Sequence, residues 1–434
     1  MSITSTSLRI ADTVADMAGI LRRPLRAEDL IARARRETWL TDFGDTNFME
    51  PLRRLLAACT APDANLSLVG RLATQWDVSR FLSNLLRFQA EEARRPDIAA
   101  QKIARPIFIT GLPRSGTTFL HRLMMTDVAN RAPLVWETIF PWAEPKGPDR
   151  RAERVAKQLK MFERLAPEFR ALHPLEATSP QECSEITAHV FRSLRFDTNY
   201  YVPSYRHWLD NDVRRHLPAY HFHQRFLRHL QYQDSLSPNG AAARWVLKCP
   251  EHVFALSSIR AVYPDARLVF VHRDPVKVLL SVAHLTEVLR RPFTRSLDPA
   301  TIGRDESARW LAGAERMMHT GDDAGLPEPV CHVHHMDLIS DPVATVEGVY
   351  RHFGMTLPNP AATAIEQYVD AKPNGGYGPR HYAFKDHGLD EATERERFRP
   401  YMVRFGIAAE VASSRGRPGG IAAPVRSPAP TTQA

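Results

Sequence analysis

The sequence predicts an α/β fold, a parallel sheet flanked by helices and preceded by a helical region. Three observations predict it. Short β-branched or aromatic runs recur with helical segments between them, the alternation that gives a parallel sheet covered on both faces. The first run, Ile107-Phe108-Ile109-Thr110, leads into a glycine-bounded turn and then an amphipathic helix. The chain before it, up to about residue 100, reads as helical.

In that leading region, residues 26–40 and 65–93 place apolar side chains at three- and four-residue spacing; Leu66, Val69, Leu72, Trp76, Phe81, Leu85 and Phe88 form the longer stripe. No chemistry is legible there, so residues 1–102 are an accessory region, a substrate lid or the dimer surface of a homo-oligomer. The character changes at Arg105-Pro106. Gly111 to Gly116 forms the turn, and Thr117 to Met125 the helix, with Phe119 and Leu120 matched one turn later by Leu123 and Met124. Three further strands are expected: 245–247, 267–272 (RLVFVH) and 330–336 (VCHVHHM). Helices follow from Pro275, and from Pro342 behind Asp341, because proline suits the first helical turn and aspartate its cap. The main domain spans 103–410, and the Ser-, Gly-, Pro- and Ala-rich stretch 411–434 is expected to be disordered.

Composition is that of a globular protein: 434 residues, 44% hydrophobic and 24% charged. The net charge of +8 is spread along the chain with no Lys/Arg block, which argues against a nucleic-acid-binding arm. Cys59, Cys183, Cys249 and Cys331 are far apart, so neither a disulfide framework nor a cysteine zinc site is expected, and a reducing, cytoplasmic setting fits. Neither a signal peptide nor an apolar run long enough for a transmembrane segment is found.

The turn Gly111-Leu112-Pro113-Arg114-Ser115-Gly116-Thr117-Thr118 has the glycine spacing of a P-loop, with Thr117 where the Walker lysine would stand. Arg114 supplies the cation instead. Backbone N–H groups from Arg114 to Thr118 can converge on an oxyanion at the helix N-terminus, with the threonine hydroxyls beside them. The bland alternative, a threonine-capped glycine turn, does not account for PRSGTT between a strand and a helix. This loop resembles that of the P-loop sulfotransferase family, its bacterial branch and the tyrosylprotein sulfotransferases in particular. The resemblance covers roughly residues 103–410 and implies a sulfuryl donor, 3′-phosphoadenosine 5′-phosphosulfate (PAPS), with Arg114, Ser115, Gly116, Thr117 and Thr118 holding its 5′-phosphosulfate.

A second anion site is expected at the end of 267–272. Arg273 stands at the carboxyl edge of that strand, where open α/β sheets bind ligands, and Ser281 follows on the next helix. Alone the two would pass for a surface arginine and an ordinary helix serine. The family holds the donor's 3′-phosphate with an Arg and a Ser at this spacing. Its late glycine-rich basic loop is similar to Pro373–Arg380, which makes Gly376, Gly378 and Arg380 further candidates, although the RKG form of cytosolic members is absent and a plain surface loop remains the alternative.

For the chemistry, Lys248 ends the strand before Cys249-Pro250 and can stabilise the leaving oxygen; a solvated lysine is the alternative. Glu137, in Trp136-Glu137-Thr138, matches the Glu-Thr in which tyrosylprotein sulfotransferases carry their base. His252 follows Lys248 by four residues where cytosolic sulfotransferases use two, and is the secondary base. Glu182 and Glu185 are expected to place favourable charge in the first turn of a helix, with a substrate-binding role open. His332 and His334 share a strand face without a carboxylate at ligand spacing, so no metal is required. Trp136, Trp142, Tyr200, Tyr201, Tyr205 and Trp208 line an acceptor cleft or pack the core. The acceptor is expected to be a small molecule, lipid or carbohydrate hydroxyl. The rival reading, a P-loop kinase or nucleotide-binding protein, lacks its Walker lysine and leaves Arg273 unexplained.

Overall fold

Ile107–Gly111 (β1) is buried along its whole length, as a strand with sheet neighbours on both edges and helices on both faces must be. A computed structural model describes residues 3–410, except 143–146, 173, 213, 215, 237–243, 321–324 and 373–382. The expected tail at 411–434, and Gly376, Gly378 and Arg380, lie outside the described residues. β1 pairs in parallel with Arg244–Lys248 (β3) on one side and Arg267–His272 (β4) on the other. Asn130–Arg131 (β2) extends the sheet beyond β3, and Cys331–His334 (β5) beyond β4, also in parallel. The order is β2-β3-β1-β4-β5. The chain therefore leaves β1 toward one edge and returns at β4 to build the other. The carboxyl ends of β1 and β4 flank the point where that direction reverses, the place where open sheets of this kind bind ligands.

Alternation along the strands divides the interior in two. Ile107, Ile109, Val246, Val269, Val271 and Val333 face one core, with Leu120, Leu123, Val349 and Ile365 from the covering helices. Phe108, Trp245, Leu247, Leu268 and Phe270 face the other. That second core continues without a break into the N-terminal helices through Leu52, Leu55, Phe81, Leu85 and Phe88. The helical region is thus built onto the sheet domain. Its long helix, Leu68–Arg94, is capped by Ser67, whose Oγ accepts from the Gly70 N–H at 3.0 Å. At Gly70 a Cβ would lie 2.1 Å from the Phe293 carbonyl oxygen, so only glycine permits that approach.

The expected caps form. Asp274 Oδ1 accepts from Val276 N–H at 3.0 Å and starts Pro275–Arg290, and Asp341 Oδ1 accepts from Ala344 N–H at 2.9 Å and starts Pro342–His352. The last strand is shorter than the run 330–336, because His335 opens a helix, His335–Ser340. Two-residue β2 carries no periodicity of its own, and so leaves no sequence signal. Among the described residues no helix is long and apolar enough to cross a membrane.

Candidate active site

The loop after β1 is held by backbone geometry. Gly111 has φ +150°, and a Cβ there would sit 2.3 Å from the Val271 carbonyl oxygen of β4. Leu112 is buried beneath the turn, and its carbonyl accepts from the Ser115 N–H at 3.3 Å. Arg114 adopts φ +64°, a left-handed conformation costly for a residue with a Cβ. Gly116, at φ +105°, turns the chain into the helix Thr117–Met124.

Because Gly111 is in register with Val271, the loop after β1 lies beside the first residues after β4. The two anion motifs are therefore in direct contact. Arg114 Nε donates to Ser281 Oγ at 3.1 Å, and Arg273 Nη1 donates to the Arg114 carbonyl at 3.0 Å. Arg114, Gly116, Thr117, Thr118 and Arg273 all line one cavity of about 510 Å³. Ser281 is buried behind Arg114 rather than on the cavity wall. Ser115 is likewise buried, and its Oγ has no hydrogen-bond partner among the described residues, an orphan that suits a loop shaped around an anion.

Lys248 is buried behind the next side of the cavity, which Thr118 and Glu182 line. It stands at the end of β3 in register with Ile109 of β1, with a side chain only 2% exposed. Its Nζ donates to Glu182 Oε1 at 2.5 Å and to Thr118 Oγ1 at 3.1 Å. Glu182 does not lie in a helix. The helix begins at Ser184, and Glu182 runs in an extended segment bridged to Lys248, with the Cys183 N–H donating to the Lys248 carbonyl at 3.1 Å. Glu182 lines the cavity. The wall beside the P-loop thus carries a threonine hydroxyl and a carboxylate, both bonded from behind by a buried lysine.

Both bases expected from the sequence sit elsewhere. Glu137 is buried outside the cavity, gripped by Arg131 at 2.6 and 3.0 Å, while its Oε2 also accepts from the Leu134 N–H at 2.8 Å. Its oxygens fix a short helix, Val135–Ile139. His252 is fully buried, hydrogen-bonded through Nδ1 to Tyr220 Oη and set edge-on to Phe108. Burial holds its imidazole well below its usual pKa. Neither group lines the cavity. Trp136, Trp142, Tyr200, Tyr201, Tyr205 and Trp208 are also absent from the cavity wall; Tyr200 and Tyr205 are core residues.

Beside Glu185, for which the sequence left a substrate-binding role open, the cavity is lined by charged residues that the sequence did not single out: Arg195, Glu251, Glu306 and Arg309. Arg195 bonds Asp77 at 2.7 Å and Glu185 at 2.6 Å, and Arg80 bonds the same two carboxylates at 2.8 and 2.6 Å. Such a square leaves no buried charge uncompensated. Burial pushes the Glu251 carboxyl up to about 7 although it accepts from Ser193 Oγ and the Leu194 N–H, both at 3.1 Å. The opposite wall is apolar, formed by Phe169, Leu175, Val282, Leu285 and Leu289. Among the described residues one grouping has metal-ligand proximity, His284, Glu287 and His387, and none of the three lines the cavity. Arg291 already holds Glu287 Oε1 at 2.8 Å there. His332 stacks on His272 and shares a 2.8 Å hydrogen bond with it.

Comparison with known proteins places this geometry. Residues 106–359 match the model of the sulfotransferase family. The omega-hydroxy-beta-dihydromenaquinone-9 sulfotransferases Stf3 of Mycobacterium bovis and Mycobacterium tuberculosis are each 25% identical over 268 residues, 58% of this chain and 63% of theirs. The chain thus spans somewhat under two thirds of the length of these curated relatives. The crystal structure of sulfotransferase STF1 from Mycobacterium tuberculosis superposes with a TM-score of 0.73 at 30% identity, over 87% of this chain and 99% of that one. Sulfotransferase STF9 from Mycobacterium avium has the same fold, with a TM-score of 0.77 at 22% identity over 88% of this chain and 97% of its own. With the family model covering more than half of its length, this chain belongs to the sulfotransferase family.

Proposed function

We propose that the protein transfers a sulfuryl group from PAPS to the hydroxyl of an apolar small-molecule or lipid acceptor, with Glu182 as the base. The observation that carries the reading is the contact of two loops, Arg114 with Ser281 and Arg273, on a cavity whose wall also holds Thr118 and Glu182, the two partners of buried Lys248. The donor supplies an activated sulfuryl group. The chain's own residues bind and orient it: the P-loop N–H groups and Thr117 and Thr118 at its 5′ end, Arg273 and Arg114 toward its 3′-phosphate. Lys248, almost fully buried, presents positive charge where the leaving oxygen gains negative charge. Glu182, on the cavity wall, accepts the acceptor's hydroxyl proton.

The apolar wall of Phe169, Leu175, Leu285 and Leu289 suits an acceptor with a hydrocarbon body, and the polar end suits its hydroxyl or carbonyl groups. The omega-hydroxy-beta-dihydromenaquinone-9 named for the Stf3 relatives has that character. Calorimetry tests the donor: adenosine 3′,5′-bisphosphate (PAP) should bind more tightly than ATP, and Arg273→Ala should erase the difference, because one charge-assisted contact contributes about 1.5–3 kcal/mol. Equal or tighter ATP binding overturns the assignment of PAPS as donor. Incubation of cell extract with labelled PAPS identifies the acceptor.

A further inference from the structure

The side chain assigned to the 3′-phosphate already holds an anion. Arg273 Nε bonds Glu410 Oε1 at 2.8 Å, and its Nη2 bonds Oε2 at 2.9 Å, a two-pronged grip on one edge of the guanidinium. Its third nitrogen serves the Arg114 carbonyl. The edge best shaped to clasp a phosphate is therefore occupied by a carboxylate from the end of the described chain.

Glu410 is brought there by a docked segment. Tyr401 Oη bonds His272 Nδ1 at 2.9 Å and Phe405 stacks on the His272 ring, which ties this segment to the end of β4. The Glu410 N–H then donates to Asp274 Oδ2 at 2.8 Å, the same carboxylate that caps Pro275–Arg290. Both partners are largely buried, with side chains 11% and 20% exposed. Burial pushes the Glu410 carboxyl up, but the hydrogen bonds and charge of Arg273 outweigh it and leave the group below its usual value. It is an anion wherever a donor would be bound at neutral pH.

A carboxylate and a phosphate cannot share one guanidinium edge, and two anions side by side repel. We propose that Glu410 is an internal stand-in for the donor's 3′-phosphate: donor binding exchanges Glu410 for phosphate on Arg273 and frees the segment that Glu410 anchors. The contact is then a competitive latch that lowers donor affinity and reports site occupancy to the C-terminal segment. The inference rests on the assignment of Arg273 to the 3′-phosphate.

The test uses the full chain. Calorimetry compares PAP with adenosine 5′-phosphate, which lacks the 3′-phosphate, on wild type and Glu410→Gln. Removing the competing charge should tighten PAP binding by about tenfold or more and leave adenosine 5′-phosphate unchanged. In wild type, PAP should speed hydrogen exchange at the Glu410 amide and its neighbours in 405–410. Weaker PAP binding by Glu410→Gln, or slower exchange when PAP binds, overturns the latch and makes Glu410 an orienting partner of Arg273. If wild type prefers PAP and Glu410→Gln gains nothing, the latch alone fails. If wild type shows no preference for PAP, the 3′-phosphate assignment fails and takes the latch with it.

Discussion

Replacing Glu182 by glutamine tests the proposed chemistry most directly. The change keeps the side chain's shape and removes its basicity. Glu182 Oε1 lies 2.5 Å from Lys248 Nζ on the cavity wall, so the substitution alters two things. As a positioned base, Glu182 should contribute about 10²–10⁴-fold to kcat, or about 3–5 kcal/mol of barrier. As the partner of a lysine 2% exposed, it also compensates a buried charge, and its loss costs up to about 3–5 kcal/mol of stability. The amide oxygen and Thr118 Oγ1 still accept from Lys248, which keeps the cost below that ceiling. The assay is therefore threefold: kcat, PAP affinity by calorimetry, and Tm. The expected result is a loss of about two decades or more in kcat, with PAP affinity within about threefold of wild type and a folded protein. The acid limb of the kcat–pH profile should vanish with the carboxylate, which a merely structural role would not cause. Activity near wild type in Glu182→Gln refutes the assignment. If Glu137→Gln is inactive with its stability intact, the base is Glu137 after all; its pairing with Arg131 predicts the opposite, lost stability and retained kcat.

Two further outcomes are expected. Glu251 has a folded-state pKa raised to about 7, so the native protein holds an extra proton between the ordinary carboxylate range and that value. Stability should fall as pH rises through that window and level off above it, and Glu251→Gln should remove the slope and gain up to about 3 kcal/mol above pH 7; a difference in urea-unfolding free energy between pH 5 and pH 8 that is the same in wild type and Glu251→Gln would sink this. Sulfuryl transfer should survive exhaustive chelation, since the proposed donor site has the cations Arg114 and Arg273 on its wall and Lys248 behind it; complete loss restored by Mg²⁺ would refute this.

What was legible in the sequence was local. Ile107-Phe108-Ile109-Thr110, the PRSGTT turn and its helix announced themselves because strand, glycine turn and helix each leave a short-range pattern. The strand end at Arg273 and the helix that Asp274 caps were legible in the same way, but only the family resemblance singled out Arg273 and Ser281 on them. Glu182 was named but placed in a helix turn, because an acidic pair before apolar residues reads as helix-start chemistry. Its pairing with Lys248 spans 66 residues and leaves no spacing to read. The Asp77–Arg80–Glu185–Arg195 square is likewise drawn from two segments about 105 residues apart. For Glu137 a motif match gives a position along the chain, whereas the grip of Arg131, six residues earlier, which sets the direction of its carboxylate, is not part of the motif.

The alignment of the two anion loops depends on a contact that contains no side chain at one partner, and this gives the last prediction. Gly111 and Gly116 both have positive φ, so backbone strain alone would rank Gly111→Ala and Gly116→Ala together. Their surroundings separate them. A Cβ at Gly111 would lie 2.3 Å from the Val271 carbonyl oxygen, a backbone atom inside β4 that cannot yield without moving the strand. A Cβ at Gly116 would meet His335 Nδ1 at 2.9 Å and Leu338 Cδ2 at 3.2 Å, side-chain atoms on the short helix His335–Ser340. Those atoms can give by rotation, so Gly116→Ala should cost about 1–3 kcal/mol from φ strain and weaken PAP binding more than it lowers Tm. Gly111→Ala must push β1 away from β4, and that register is what brings Arg114 to Ser281 and Arg273. It should cost about 4 kcal/mol or more and remove stability and PAP binding together. A Gly111→Ala protein with wild-type Tm and PAP affinity would show that the loops are aligned by something other than the β1–β4 contact.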